Sequence, residues 1–163
     1  MRKFYTLLLD FLFVAASGYA QTTVTINCTG TAGSYNSGYV TSGGAKTIGN
    51  LQVIGNGSLR RGWAGFDLSS IPAGSTINSA TLNFYVYSTT QSFQNNNIYG
   101  FTGTPQTMNA TTLYNNCGGA SSATFTNSTW RLNANSLVLN VAGISFIQTN
   151  LVYNIVIGFK REN

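Results

Sequence analysis

The chain has 163 residues and a net charge of +5, yet charged side chains make up only 7% of it, against about 25% in an ordinary soluble domain. It contains no histidine, and its three acids are Asp10, Asp67 and Glu162. That inventory excludes nucleophilic sites built on an imidazole base and the His/Cys/carboxylate clusters of zinc and non-haem iron.

Residues 1–20 read as a secretory signal: Arg2 and Lys3 at the start, an apolar stretch from Phe4 to Ala16, and Gly18-Tyr19-Ala20 before Gln21. Asp10 interrupts the apolar stretch, which is also short of the roughly 20 residues a membrane anchor needs. No later segment is apolar enough to span. The expected product is a single domain, 21–163, that is secreted, periplasmic or on the cell surface. Glu162 then stands second from the end, and Asp67 is the one carboxylate in the body of the fold. A glycosidase of the usual kind needs a pair, so the chain reads as non-enzymatic and without a cofactor.

From residue 22 onward the dominant signal is period-two alternation rich in β-branched and aromatic residues. Strands are expected at Thr22–Cys28, Leu51–Ile54, Arg61–Leu68, Ala80–Tyr87, Asn97–Thr102, Ser136–Val141 and Tyr153–Phe159. Gly/Ser/Asn/Thr clusters at 30–44, 55–58 and 115–122 read as loops, and Ile71-Pro72-Ala73-Gly74 as a turn. Met108–Tyr114 and Ala142–Asn150 are the only stretches with helical character. Many short strands around one core predict an all-β, two-sheet antiparallel sandwich. With 43% hydrophobic residues, a core for about 140 residues is within reach.

Cys28 and Cys117 are the only cysteines. In an oxidising compartment a lone pair suggests a disulfide; two buried free thiols are the alternative. The bases Lys46, Arg60, Arg61, Arg131, Lys160 and Arg161 are dispersed along the sequence, which, with export, argues against nucleic acid as a partner.

The segment from Arg61-Gly62-Trp63-Ala64-Gly65-Phe66-Asp67-Leu68-Ser69-Ser70-Ile71-Pro72-Ala73-Gly74 to Ser79-Ala80-Thr81-Leu82 resembles the core motif of DNRLRE-type domains, and Gln21–Asn27, Leu113–Cys117 and Ser128–Trp130 look like versions seen in exported proteins of Bacteroidota. The resemblance implies a jelly-roll sandwich acting as a non-catalytic module, with acidic polysaccharide or a cell-surface component as partner. Family members continue past the position of Phe159 to one more strand. Here the chain stops at Asn163, so the resemblance implies a missing last strand and a bare sheet edge, filled by a strand-donating partner or by self-association.

Two site readings follow from the residues. Arg61, Trp63, Tyr85 and Tyr87 are candidates for an outward glycan-binding patch, since aromatic faces stack on sugar rings and arginine pairs with uronate carboxylates; packing against loops is the competing role. In the Arg61–Leu68 strand, Ala64, Phe66 and Leu68 alternate inward and Trp63 and Asp67 outward. Asp67 precedes Ser69-Ser70, so its carboxylate is placed to accept backbone N–H bonds in the following turn; a weak calcium site is the alternative. The function expected is an exported carbohydrate-binding module, or else a structural or adhesive surface domain.

Overall fold

A computed structural model describes residues 21–28, 36–49, 60–88, 94–119, 123–130 and 132–161. The expected signal (1–20) and the expected strand Leu51–Ile54 lie outside them. The described residues form eight strands: β1 (Ser37–Thr41), β2 (Lys46–Ile48), β3 (Arg60–Asp67), β4 (Thr81–Val86), β5 (Gln94–Thr102), β6 (Ala123–Trp130), β7 (Asn133–Val138) and β8 (Asn154–Arg161). Two helices join them, α1 (Ala110–Asn116) and α2 (Val141–Thr149).

The strands form an all-β, two-sheet antiparallel sandwich. One sheet has the order β2-β1-β3-β8-β5-β6 and the other is the pair β4-β7. The pairings β3–β8, β4–β7 and β5–β6 are nested one inside the next, which is the rolled-up hairpin of a jelly roll. The expected bare edge beside Tyr153–Phe159 is not found. β8 pairs with β3 on one side and β5 on the other, so its backbone groups are satisfied along both edges. Among the described strands, the edges of the larger sheet fall at β2 and β6.

Both faces of the larger sheet are covered, which is why β8 reads as a continuous apolar run buried from Ile155 to Phe159. On the inner face Ala64, Leu68, Ile155, Ile157 and Phe159 meet Leu82 and Leu139 from the smaller sheet's side, with Ile147 of α2. Phe84 of β4 packs edge-on against Phe159, ring centroids 6.4 Å apart. On the outer face Val40, Trp63, Phe101 and Val156 pack with Leu113 and Cys117 of the α1 region. Leu113 and Cys117 stand four apart and so share one side of α1. Its start is fixed by Asn109, whose Oδ1 accepts from the N–H of Thr111 at 2.9 Å.

Residues 21–28 carry no strand pairing, in contrast to the expected Thr22–Cys28 strand. Ile26 and Cys28 nevertheless pack on the inner core, and the Cys28 thiol donates to the Asn36 carbonyl at 3.2 Å. Both cysteines are free. Cys28 lies on the inner face and Cys117 on the outer, so the sheet itself separates the pair and the expected disulfide is absent.

The loops define two ends of the sandwich. At one, Leu68 N–H bonds the Tyr153 carbonyl and Leu139 N–H the Ala80 carbonyl. There Gln148 of α2 also accepts from Ile77 N–H and donates to the Ser75 carbonyl, both at 2.8 Å. β4 and β8 both run away from this end, and their last residues lie at the other, where β3 begins.

Candidate binding site

The end at which β3 begins and β8 finishes collects the charge. Arg60 and Arg61 open β3, while Lys160 and Arg161 close β8. The strands are antiparallel, with Gly62 opposite Phe159, so continuing the register brings the two doublets side by side. β5 adds Asn96 opposite Arg161 and Asn97 opposite Lys160. β2 adds Lys46, opposite Val40, which is itself opposite Arg61. All five cations of the described residues therefore stand at one end of one sheet. The sole described carboxylate, Asp67, terminates β3 at the other end, opposite Asn154.

Alternation divides the cations between the two faces. Arg61 points to the α1 side. Its guanidinium carbon lies 3.8 Å from the Tyr114 ring centroid, and Nη1 donates to the Tyr114 carbonyl at 2.7 Å. Arg60 points the other way, with its guanidinium 4.9 Å from the ring centroid of Tyr39. Lys46 is held by three backbone carbonyls, those of Pro105, Gln106 and Met108, at 3.0, 2.6 and 3.0 Å. The Lys46 and Arg61 contacts, with backbone carbonyls and an aromatic ring, hold these cations in place without cancelling their charge. Arg60, Arg61, Lys160 and Arg161 are all half-exposed. Asn96, 3% exposed, and Asn97, whose amide donates to the Tyr99 hydroxyl at 3.1 Å, lie beside them.

The four residues expected to form one glycan patch are not brought together. Trp63 does face away from Ala64 and Phe66, but α1 covers that side and leaves Trp63 fully buried. It lies between Gly38 and Gly158 on the flanking strands. A Cβ at Gly38 would sit 2.7 Å from the indole, and one at Gly158 would sit 2.7 Å from the Cys117 Cα. Trp63 is thus a core residue, and Arg61 is tied to the helix above it. Tyr85 and Tyr87 are 65% and 90% exposed on the outer side of the other sheet.

Asp67 is exposed, and its Oδ1 accepts from Ser69 N–H at 2.9 Å. That bond, then one from the Ser69 side chain, lowers its pKa below the ordinary value of 3.8. The bond spans the start of the turn that follows β3. Among the described residues no group of three or more His, Cys, Asp or Glu side chains comes together, and no helix is long and apolar enough to cross a membrane.

The basic end was not recognised in the sequence, where Lys46, Arg60-Arg61 and Lys160-Arg161 are far apart. The available signal was positional: one doublet begins an expected strand and the other follows an expected strand, so antiparallel pairing of the two would juxtapose them. No family model, curated protein or solved structure matches the chain.

Proposed function

We propose that the protein is an exported, non-catalytic binding module whose ligand is an acidic polysaccharide held at the basic end of the six-stranded sheet. The observation that carries this reading is the convergence of Arg60, Arg61, Lys160 and Arg161 on adjacent strand ends. A surface of one sign attracts polyanions over several ångströms and raises their local concentration. Guanidinium groups fit uronate carboxylates in bidentate fashion. The role of Arg61 is to present charge while anchoring α1; Arg60, Lys160 and Arg161 make the ligand contacts. Export, the non-enzymatic character and the polysaccharide partner agree with what the resemblance of residues 61–82 implies.

The test is a binding screen of the protein against polygalacturonate, alginate and a neutral glucan. Retention by the acidic polymers that weakens steeply with salt is expected. Equal retention by all three, or by none, overturns the reading. The second reading, a structural or adhesive surface domain, draws on the uncharged strands β4 and β7, whose Thr81, Asn83 and Ser136 are exposed. It predicts self-association and no saccharide binding.

A further inference from the structure

The outer side of the β4-β7 sheet differs from the basic end in every chemical respect. Neither strand contains a charged residue. Thr81, Asn83 and Tyr85 alternate outward on β4, followed by Tyr87 just beyond the strand, and all are exposed. The cross-strand partners of Asn83 and Tyr85 are Ser136 and Ala134. These small side chains leave a depression of about 400 Å³ lined by Asn83, Phe84, Tyr85, Ala134, Asn135 and Ser136. No residue of the six-stranded sheet lines it, so it opens on the outside of the sandwich. The depression is shallow and open rather than an enclosed cleft. The Tyr85 hydroxyl donates to Asn133 Oδ1 at 3.0 Å, a bond that holds the ring in one orientation without burying it.

We infer that this depression is a second saccharide subsite, one that takes an uncharged pyranose face by stacking on Tyr85 and Tyr87 and hydrogen bonding to Asn83 and Ser136. The chemistry selects the ligand. An exposed, hydrogen-bonded tyrosine offers a rigid amphipathic plate at low entropic cost, and the amide and hydroxyl groups beside it are donors and acceptors with no charge to satisfy. A polyanion gains nothing from this face, and an apolar protein partner would leave Asn83 and Ser136 without hydrogen bonds. β4 runs toward the basic end, as does β8, and Phe84 meets Phe159. The tyrosines therefore lie on the flank of the sandwich that leads to Arg161. The inference rests on the saccharide-binding reading but not on the acidic nature of the ligand at the basic end.

The two sites are separable by salt. Ion pairing with a polyanion releases counterions, so each cation engaged steepens the salt dependence by about one in log–log slope, whereas ring stacking is nearly salt-independent. The experiment titrates the protein, Tyr85→Ala, Tyr87→Ala and the double variant with a neutral glucan hexasaccharide and with oligogalacturonate, each at low and high salt. Both tyrosines are exposed, so the variants keep the fold, which an unchanged melt verifies. The expected result is weak, salt-insensitive binding of the neutral hexasaccharide, reduced roughly three- to tenfold by each substitution. For oligogalacturonate, the tyrosine variants keep the salt slope of the parent. Neutral-sugar binding that survives the double variant, or is absent from the parent, overturns the inference. So does a change of the oligogalacturonate salt slope in the tyrosine variants. Failure of the basic-end reading is a distinct result: oligogalacturonate bound by the parent with no salt dependence at all.

Discussion

The Arg61 guanidinium stacks 3.8 Å from the centroid of the Tyr114 ring and donates to the carbonyl of the same residue. One side chain thereby engages the last turn of α1 by its ring and by its backbone, and the bare backbone of Gly118 leaves room for it, since a Cβ there would overlap the guanidinium. A cation at a helix C-terminus is favourable in itself, and the planar group stacks and hydrogen-bonds at once, which an ammonium cannot do. Arg61→Lys should therefore lose about 1–2 kcal/mol of stability, summing a cation–π contact and a charged hydrogen bond, as read by urea denaturation. An Arg61→Lys variant as stable as the parent would contradict the clamp.

Trp63 is fully buried between Gly38 and Gly158, and its Nε1 has no hydrogen-bond partner. Trp63→Ala should cost about 3–5 kcal/mol by opening a cavity under α1. Trp63→Phe should cost far less than half of that, because it also removes a buried donor whose desolvation is uncompensated, an opposing term of about 1–3 kcal/mol. Equal losses from the two substitutions would contradict this account of the site.

How far the alternating pattern reaches is visible in this same residue. Period two placed Ala64 and Phe66 on one face of β3 and Trp63 on the other, and it found β4, β5 and β8 in much the same places. It sorts faces but does not say which face is covered, and the cover on Trp63 is a seven-residue helix far along the chain. The Asn109 cap and the i, i+4 pair Leu113/Cys117 were the local signs of that helix. β1 and β2 lie in or beside a Gly/Ser/Thr-rich stretch that reads as loop. They are strands because β3 supplies the partner of β1, and β1 that of β2, a tertiary effect absent from the local pattern. β6 follows a similar stretch, and β5 pairs with it. The basic end depends on register between strands some hundred residues apart, and the disulfide expectation failed for want of the same knowledge.

Burial pushes the Cys117 thiol up to about 12, with the Arg61 charge opposing the rise, and burial also raises Cys28 to a smaller extent. The folded state thus keeps the Cys117 proton to higher pH than the unfolded chain, whose thiol titrates near 9.0. Its contribution to stability is complete below about pH 9 and is lost as pH rises toward 12. Relative to Cys117→Ala, the parent should show an extra fall in stability over that window. A thiol reagent at neutral pH should label Cys28 first, and both cysteines after denaturation without reductant. No labelled thiol in the chain denatured without reductant would mean that the two are bridged.

Asp67 behaves in the opposite sense. Its pKa is depressed by the Ser69 backbone N–H and then by the Ser69 side chain, so the carboxylate supports the turn at neutral pH. That support is lost as pH falls through the folded pKa, below 3.8. Asp67→Ala should lower the melting temperature at pH 7 and converge with the parent in strong acid. A calcium-dependent difference between the two proteins would instead assign Asp67 to a metal.

The central claim is that the cations at the ends of β3 and β8 hold an acidic polysaccharide. It is tested most directly by the salt dependence of polygalacturonate binding in the parent and in the Arg60→Gln/Lys160→Gln double variant. The account predicts a linear fall of log affinity with log salt in the parent, and a slope shallower by about two in the variant, with its melt retained. A parent slope near zero, or a variant with unchanged slope and affinity, would contradict it.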